Sequence, residues 1–445
     1  MKHALFQKRN TYLLCVLMLM LNLCCRQFPT QPAEKPYFAV ESVACTEAWI
    51  NLNTSTIQGT ATLTLTSDAK PVRSFMVNNR DTVLHLDSLL PGKTYSLGGS
   101  LRTTNSTATM QQDFRTMDTT SHDWKFDLSY LGEASHSQLC DIALINDSLG
   151  YAVGDIYQEN ANGGLDLFPY CLEQWNGKTW TAKKLYSKFV DYSGTESINA
   201  ISNLSCIIAF SPTDIWFAGG NIYHWNGKDT ITEMPFSWTS DPNKYTSIVK
   251  IWGSSSHDLY GVGYDGAIVH QKNGIWKRLE SGTNLNFSDI WGSADGSEIL
   301  AGAYNLSVEN GKMLVCINGD KVSPVFDKGL SEVLSLWFIP GQIYYMAGDG
   351  LAFKHQLDNT PWFLHVNGDI TTYISLSVRG NDVNDVFVVS GGYELLHYNG
   401  VTWHNYRDQI PLNPDGWFSA VSIKGNLMLI SGCSSTQAVV VVGRR

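Results

Sequence analysis

The chain has 445 residues, a formal net charge of −10 and only 16% charged residues. That length suits two or three domains. The acidity, without a basic patch, does not suit nucleic acid as a partner. Aromatic residues make up 12%, which fits a packed β core and a sugar-binding surface equally well.

The N-terminus reads as an export signal. Lys2, Lys8 and Arg9 precede an apolar run over residues 11–23, too short to span a bilayer, which ends at Cys24-Cys25. Residues 1–25 resemble a bacterial lipoprotein signal. The resemblance implies lipidation of Cys24 or Cys25 and a membrane-anchored protein of the cell envelope, on its periplasmic or surface side. Leu21 suits that pattern, whereas Asn22 and Leu23 depart from it. Residues 26–36 carry Pro29, Pro32 and Pro36 and read as an extended tether.

Residues 37–118 read as a separate all-β unit. Alternating apolar positions predict strands over 38–43, 49–52, 61–65 and 74–77. The stretch Leu90-Pro91-Gly92-Lys93-Thr94-Tyr95, with Asp113-Phe114-Arg115-Thr116 near its end, resembles the fibronectin type III pattern. That resemblance implies a β-sandwich in which Tyr95 packs at a corner and its hydroxyl returns to the backbone.

Residues 119–445 carry a motif seven times. A clear copy runs Ile251-Trp252-Gly253-Ser254-Ser255-Ser256-His257-Asp258-Leu259-Tyr260-Gly261-Val262-Gly263. The Gly closing each copy falls at Gly154, Gly219, Gly263, Gly302, Gly348, Gly391 and Gly432. After a longer first interval the spacing is about 40–45 residues, the length of a four-stranded propeller blade. Within a copy the apolar period is two, and Asn-Gly pairs such as Asn176-Gly177, Asn273-Gly274 and Asn399-Gly400 mark hairpin turns. Trp180, Trp276 and Trp403 follow these turns and are expected to pack between blades. The last copy supplies three strands, and the segment around Trp124 matches the missing fourth. The predicted fold is all-β: a sandwich followed by a seven-bladed β-propeller closed by an N-terminal strand near Trp124. The repeats resemble those of bacterial secreted propeller proteins, in the style of sialidase-like and galactose-oxidase-like propellers. With the signal this resemblance implies a Gram-negative source, of the Bacteroidota.

No chemistry stands out. His224, His270 and His397 recur in third strands on different copies, so their rings diverge, and they are expected to pack or bond to turns. No metal, cofactor or catalytic residue is assigned. Ser293-Ala294-Asp295-Gly296 departs from the Asp box of sialidases. Cys45, Cys140, Cys171, Cys206, Cys316 and Cys433 match no metal spacing and are expected as isolated buried thiols.

Long insertions carry more information. Residues 155–170, 183–203, 236–247 and 407–418 join strands at one end of the expected blades and are rich in aromatics and acids. The candidate ligand-binding residues are Tyr157, Asp166, Phe168, Tyr170, Tyr192, Trp238, Tyr245 and Trp417. The favoured reading is a monomeric binding protein that recognises a glycan or protein through this face. A carbohydrate-active enzyme, which needs two facing carboxylates, and an envelope-assembly scaffold stand as alternatives.

Overall fold

The computed structural model describes residues 37–445 apart from 55–56, 79, 104–105, 134–135, 191–195, 229, 235–246, 306–310, 326–331, 366–369 and 413–414. Cys24, Cys25, Tyr192, Trp238 and Tyr245 lie outside the described residues. Apart from one 3-10 turn at Arg407–Gln409, every helix or strand described is a strand. The chain divides into two compact units between Met117 and Asp118.

In the first unit, strands Tyr37–Val43, Ala48–Asn53 and Val83–Leu86 form one sheet. Strands Lys70–Asn78, Thr60–Ser67, Thr94–Arg102 and Thr107–Arg115 form the other, in that spatial order. Alternation sends Ala61, Leu63 and Leu65 inward from one strand. They meet Ile50, Leu86 and Leu97 in a core shared by both sheets. Tyr95 is buried, and its hydroxyl accepts the Leu90 N–H at 2.9 Å.

In the second unit, seven sheets follow one another among the described residues. We number them by their first strands: Gln138–Asn146 (sheet 1), Cys206–Ser211 (2), Ile248–Ser255 (3), Asn286–Gly292 (4), Ser335–Ile339 (5), Ser375–Asp382 (6) and Trp417–Lys424 (7). Each first strand lies beside that of the next sheet, and the seventh lies beside the first, so the sheets form a ring. Sheet 7 takes its fourth strand from Lys125–Leu131, paired antiparallel with Ala438–Arg444 along its length.

The recurring Gly has a packing reason. A Cβ on Gly154, Gly263, Gly348 or Gly432 would strike the carbonyl oxygen of Gln138, Ser247, Glu332 or Trp417, respectively. On Gly219 it would lie 2.6 Å from the Asn203 oxygen. Each of those carbonyls lies at or just before the first strand of the same sheet. Because backbone rather than a flexible side chain is struck, Gly263→Ala is expected to cost about 2–3 kcal/mol, read as a lower urea midpoint. An unchanged midpoint would refute this role.

Side chains at one repeat position tie neighbouring sheets along the inner ring. Asp141 Oδ2 accepts the Ile207 N–H at 3.1 Å, and Cys206 Sγ accepts the Ile251 N–H at 3.4 Å. Asp289 Oδ2 accepts the Leu336 N–H at 2.8 Å, and Ser335 Oγ accepts the Val378 N–H at 3.2 Å. These inner edges would otherwise hold unpaired donors in a narrow space.

The recurring histidines pair with aspartates rather than with turns. His224 meets Asp214, His270 meets Asp258 and His397 meets Asp385, each at 2.9 Å. Each ring also stacks on the aromatic residue two positions after its Asp. The centroid distances are 4.2 Å to Trp216, 4.1 Å to Tyr260 and 4.3 Å to Phe387. The Asp-apolar-aromatic run of the motif is therefore the seat of the histidine. The tryptophans after the turns reach the preceding sheet: Trp276 meets Trp216 and Trp403 meets Tyr345.

The sheet 6 copy is elaborated by residues 118–124. His122 Nδ1 lies 2.8 Å from His397 Nδ1, and Tyr406 donates its hydroxyl to the His122 carbonyl at 2.8 Å. Since His397 Nε2–H donates to Asp385, its Nδ1 accepts and His122 Nδ1–H donates. Burial first, and then the neighbouring His397 and His404, lower the His122 pKa from 6.5 to about 4. The folded chain thus refuses a proton that the unfolded chain accepts. Stability from this group is complete above 6.5 and is lost as the pH falls toward 4. The melting temperature is expected to fall across this window, less steeply in His122→Gln. Identical slopes would contradict it.

Candidate functional site

In a four-stranded antiparallel sheet, the joins between strands two and three leave from the same end as the joins to the next sheet. The longest described join of the first kind lies in sheet 1, between Leu149–Ile156 and Tyr170–Trp175. It folds on itself. The Asn160 N–H donates to Gly164 O at 2.7 Å, the Asn160 side-chain amide donates to Leu165 O at 3.1 Å, and the Asp166 N–H donates to Gln158 O at 2.9 Å. Its base is held by Glu133, which accepts the Glu159 N–H at 2.6 Å, and by Ser137, which accepts the Tyr157 N–H at 3.0 Å.

The loop is pinned at its far end by a charged cluster. Lys184 Nζ lies 2.9 Å from Asp166 Oδ2 and 4.6 Å from the centroid of the Tyr170 ring. Hydrogen bonds from Lys184 and Tyr170 hold the Asp166 carboxyl below its usual range, and the bond to Asp166 raises the Tyr170 hydroxyl. Both side chains thus engage each other, and their polar groups position the loop. What they position is apolar: Leu165 is 49%, Leu167 86% and Phe168 52% exposed. Such a run of large apolar side chains in water marks a contact surface.

Of the predicted residues, the structure brings Asp166, Phe168 and Tyr170 together on this loop, with Tyr157 half-buried at its base. Trp417 stands on another sheet, opening the first strand of sheet 7, and is 43% exposed. It bridges Gly391, while Arg407 lies 5.1 Å over the Tyr373 ring and donates to its hydroxyl at 3.3 Å. Sequence reasoning missed Lys184, Leu165, Leu167, Arg407 and Tyr373. The alternation Leu165-Asp166-Leu167 after Gly163-Gly164 was the signal for two of them.

One expectation is corrected. Residues 183–203 were expected as a loop crowding this face. Instead Tyr186–Val190 and Glu196–Ala200 form a hairpin. Its first strand pairs in parallel with Thr230 and Ile231 and extends the outer edge of sheet 2, making it six-stranded. The physical reason is the free edge of Thr230–Met234, which offers unpaired backbone groups to any extended neighbour.

Cys140, Cys171, Cys206, Cys316 and Cys433 are free thiols, with Cys140 and Cys316 only partly buried. Burial raises the Cys140 and Cys433 thiols to about 11, so both are protonated at neutral pH. Among the described residues no group of three or more His, Cys, Asp or Glu is placed to hold a metal ion.

No family model and no curated protein matches the chain. Solved structures do. The chain is similar to YCF48 bound to D1 peptide, at 17% identity and a TM-score of 0.53, over 74% of this chain and 100% of that one. The second unit is a β-propeller. The chain is also similar to YCF48 from Cyanidioschyzon merolae, at 15% identity and a TM-score of 0.48, over 71% of this chain and 98% of that one. A third likeness is to the WD40 beta propeller domain of Doa1, at 12% identity and a TM-score of 0.47, over 72% and 97% of the two chains. Identities this low bear on the fold alone. They leave the propeller's ligand to the chemistry of its own loops.

Proposed function

We propose that the chain is an exported, membrane-anchored binding protein of the cell envelope. In this reading a fibronectin type III-like sandwich precedes a seven-bladed propeller, and the face around residues 157–170 holds an extended segment of a protein partner. The strand order of the sandwich and the bond from Leu90 to Tyr95 support the first part. The seven-sheet ring supports the second. The observation that carries the functional reading is the exposed set Leu165, Leu167 and Phe168 on a loop fixed by Asp166, Lys184 and Tyr170.

A rigid loop with three apolar side chains presents little that a sugar hydroxyl can bond, and much that apolar peptide side chains can cover. YCF48 bound to D1 peptide is a solved case of a similar fold with a peptide ligand. The test is a peptide array and a glycan array probed with the purified protein and with Leu167→Glu and Phe168→Ala. Peptide binding weakened at least about tenfold by each variant, a loss of about 1.4 kcal/mol, is the expected result. Glycan binding alone would replace the partner class. Undiminished peptide binding in both variants would remove the face from the account.

A further inference from the structure

The first strands of the propeller wall a channel with a cavity of 310 Å3, lined by Asp141, Ile208, Lys250, Trp252, Trp291 and Arg379 among others. Its charged residues pair across the ring, each skipping one sheet. Lys250 of sheet 3 reaches Asp141 of sheet 1 at 2.9 Å, and Arg379 of sheet 6 reaches Asp289 of sheet 4 at 3.5 Å.

The hydrogen bonds of these groups are unequally satisfied. Asp141 accepts the N–H groups of Ile142 and Ile207 at 3.0 and 3.1 Å besides Lys250. Asp289 Oδ2 accepts the Leu336 N–H besides Arg379. Asp141 is thus engaged at both oxygens, whereas Asp289 Oδ1 is buried without a hydrogen-bond partner among the described residues. Arg379 uses one nitrogen, Nη1, for Ser335 Oγ, Leu336 O and Val378 O at 2.9, 2.9 and 2.8 Å. Its Nε and Nη2, and two of the three N–H bonds of Lys250, find no acceptor among the described residues. Burial opposes the Lys250 charge, but the carboxylate of Asp141, with that of Asp289 beyond it, outweighs burial and raises its pKa, so the ammonium is retained at neutral pH. The Arg379 guanidinium lies 4.3 Å over the Trp291 ring.

Braces that served packing alone would leave no open volume between them. Here a cavity at the small end of the ligand-pocket range, roughly 300–1,000 Å3, carries spare cationic donors and an aromatic wall. The free Nε and Nη2 form a planar fork matched to two carboxylate oxygens. The two aspartates leave the channel neutral overall, which favours a monoanion over a phosphate dianion.

We propose that the channel binds a small carboxylate, received by the Arg379 fork and Lys250 Nζ, with its apolar body against Trp291 and Ile208. The carboxylate is either a free small molecule or a Glu side chain of a bound peptide. This site lies outside the loop face and does not rest on that reading.

The test titrates the full chain with butyrate, butyramide, inorganic phosphate, and the peptides acetyl-Ala-Glu-Ala-amide and acetyl-Ala-Gln-Ala-amide. Tryptophan fluorescence and thermal shift are the readouts. Saturable butyrate binding near about 1 mM without a butyramide response is expected. Lys250→Met and Arg379→Gln are each expected to weaken it at least about tenfold, a loss of about 1.4 kcal/mol. Tighter binding of the Glu peptide than of butyrate assigns the site to a peptide side chain, and the reverse order assigns it to a free carboxylate. Ala209→Phe fills the cavity while leaving all four charged groups in place, and is expected to abolish binding in a protein of unchanged circular dichroism. Leu167→Glu should leave butyrate binding intact. No saturable carboxylate binding, equal response to the amides, preference for phosphate, or full binding in Ala209→Phe would each overturn the proposal.

Discussion

Asp385→Ala is expected to destabilise the protein by about 3–5 kcal/mol, the cost of leaving buried charge partners without their counterion. Asp385 is 3% exposed and serves three donors at once. His397 Nε2 donates to Oδ1 at 2.9 Å, Asn381 Nδ2 to Oδ2 at 2.7 Å, and Arg445 to both oxygens at 2.9 and 3.0 Å. Removing the carboxylate strands all three, and it unseats the His397 ring to which His122 is bonded. Asp214→Ala makes the same change in sheet 2, where the aspartate side chain is 27% and the histidine 32% exposed. There water replaces the lost bond, and the cost is expected to stay near about 1 kcal/mol. Urea denaturation of both variants checks the contrast, and equal losses would refute the special standing of the sheet 6 pair.

Trp124→Ala is the second large effect, expected at about 3–5 kcal/mol for deleting a fully packed indole. Trp124 is 2% exposed, meets Phe387 edge-on at 5.4 Å, and carries the Arg445 guanidinium 4.9 Å over its ring. It stands directly before the strand that completes sheet 7. Its loss should therefore speed amide exchange in Lys125–Leu131 and Ala438–Arg444 before it does so in sheets 3 and 4. Uniform acceleration around the ring would contradict that order. Because Arg445 touches both sites, Trp124→Ala and Asp385→Ala are expected to be non-additive, with coupling of about 0.5–3 kcal/mol.

What was legible in the sequence was whatever repeats. The Gly that closes each copy recurs because in five of the seven a carbonyl at or just before the first strand stands where its Cβ would be. The Asp-apolar-aromatic run recurs because a histidine lies between that Asp and that ring. The histidine was visible as a repeat, yet its partner was not, since packing, a turn and an aspartate all accommodate the same spacing. Pairings made once stayed hidden. The hairpin Tyr186–Val190 and Glu196–Ala200 finds its parallel partner at Thr230 and Ile231, past three intervening strands of sheet 2. No local pattern encodes that choice.

The candidate site followed the same rule. The insertion before Tyr170 was visible as a break in the repeat, and its aromatic and acidic residues drew attention to it. Their roles differ once folded. Asp166 and Tyr170 are engaged by Lys184, so the side chains that were chemically suggestive hold the loop, while the plain Leu165 and Leu167 face water. The channel was illegible for a simpler reason. Lys250 and Asp141, or Arg379 and Asp289, are neighbours only because the ring closes.

The central claim is that the propeller binds its partner at the end carrying residues 157–170. Hydrogen–deuterium exchange of the protein, with and without the tightest peptide from the array, tests it most directly. Protection is expected at 157–169 and at 406–416. Protection confined to the opposite ends of the sheets, at 255–258, 295–298 and 382–385, would contradict the claim.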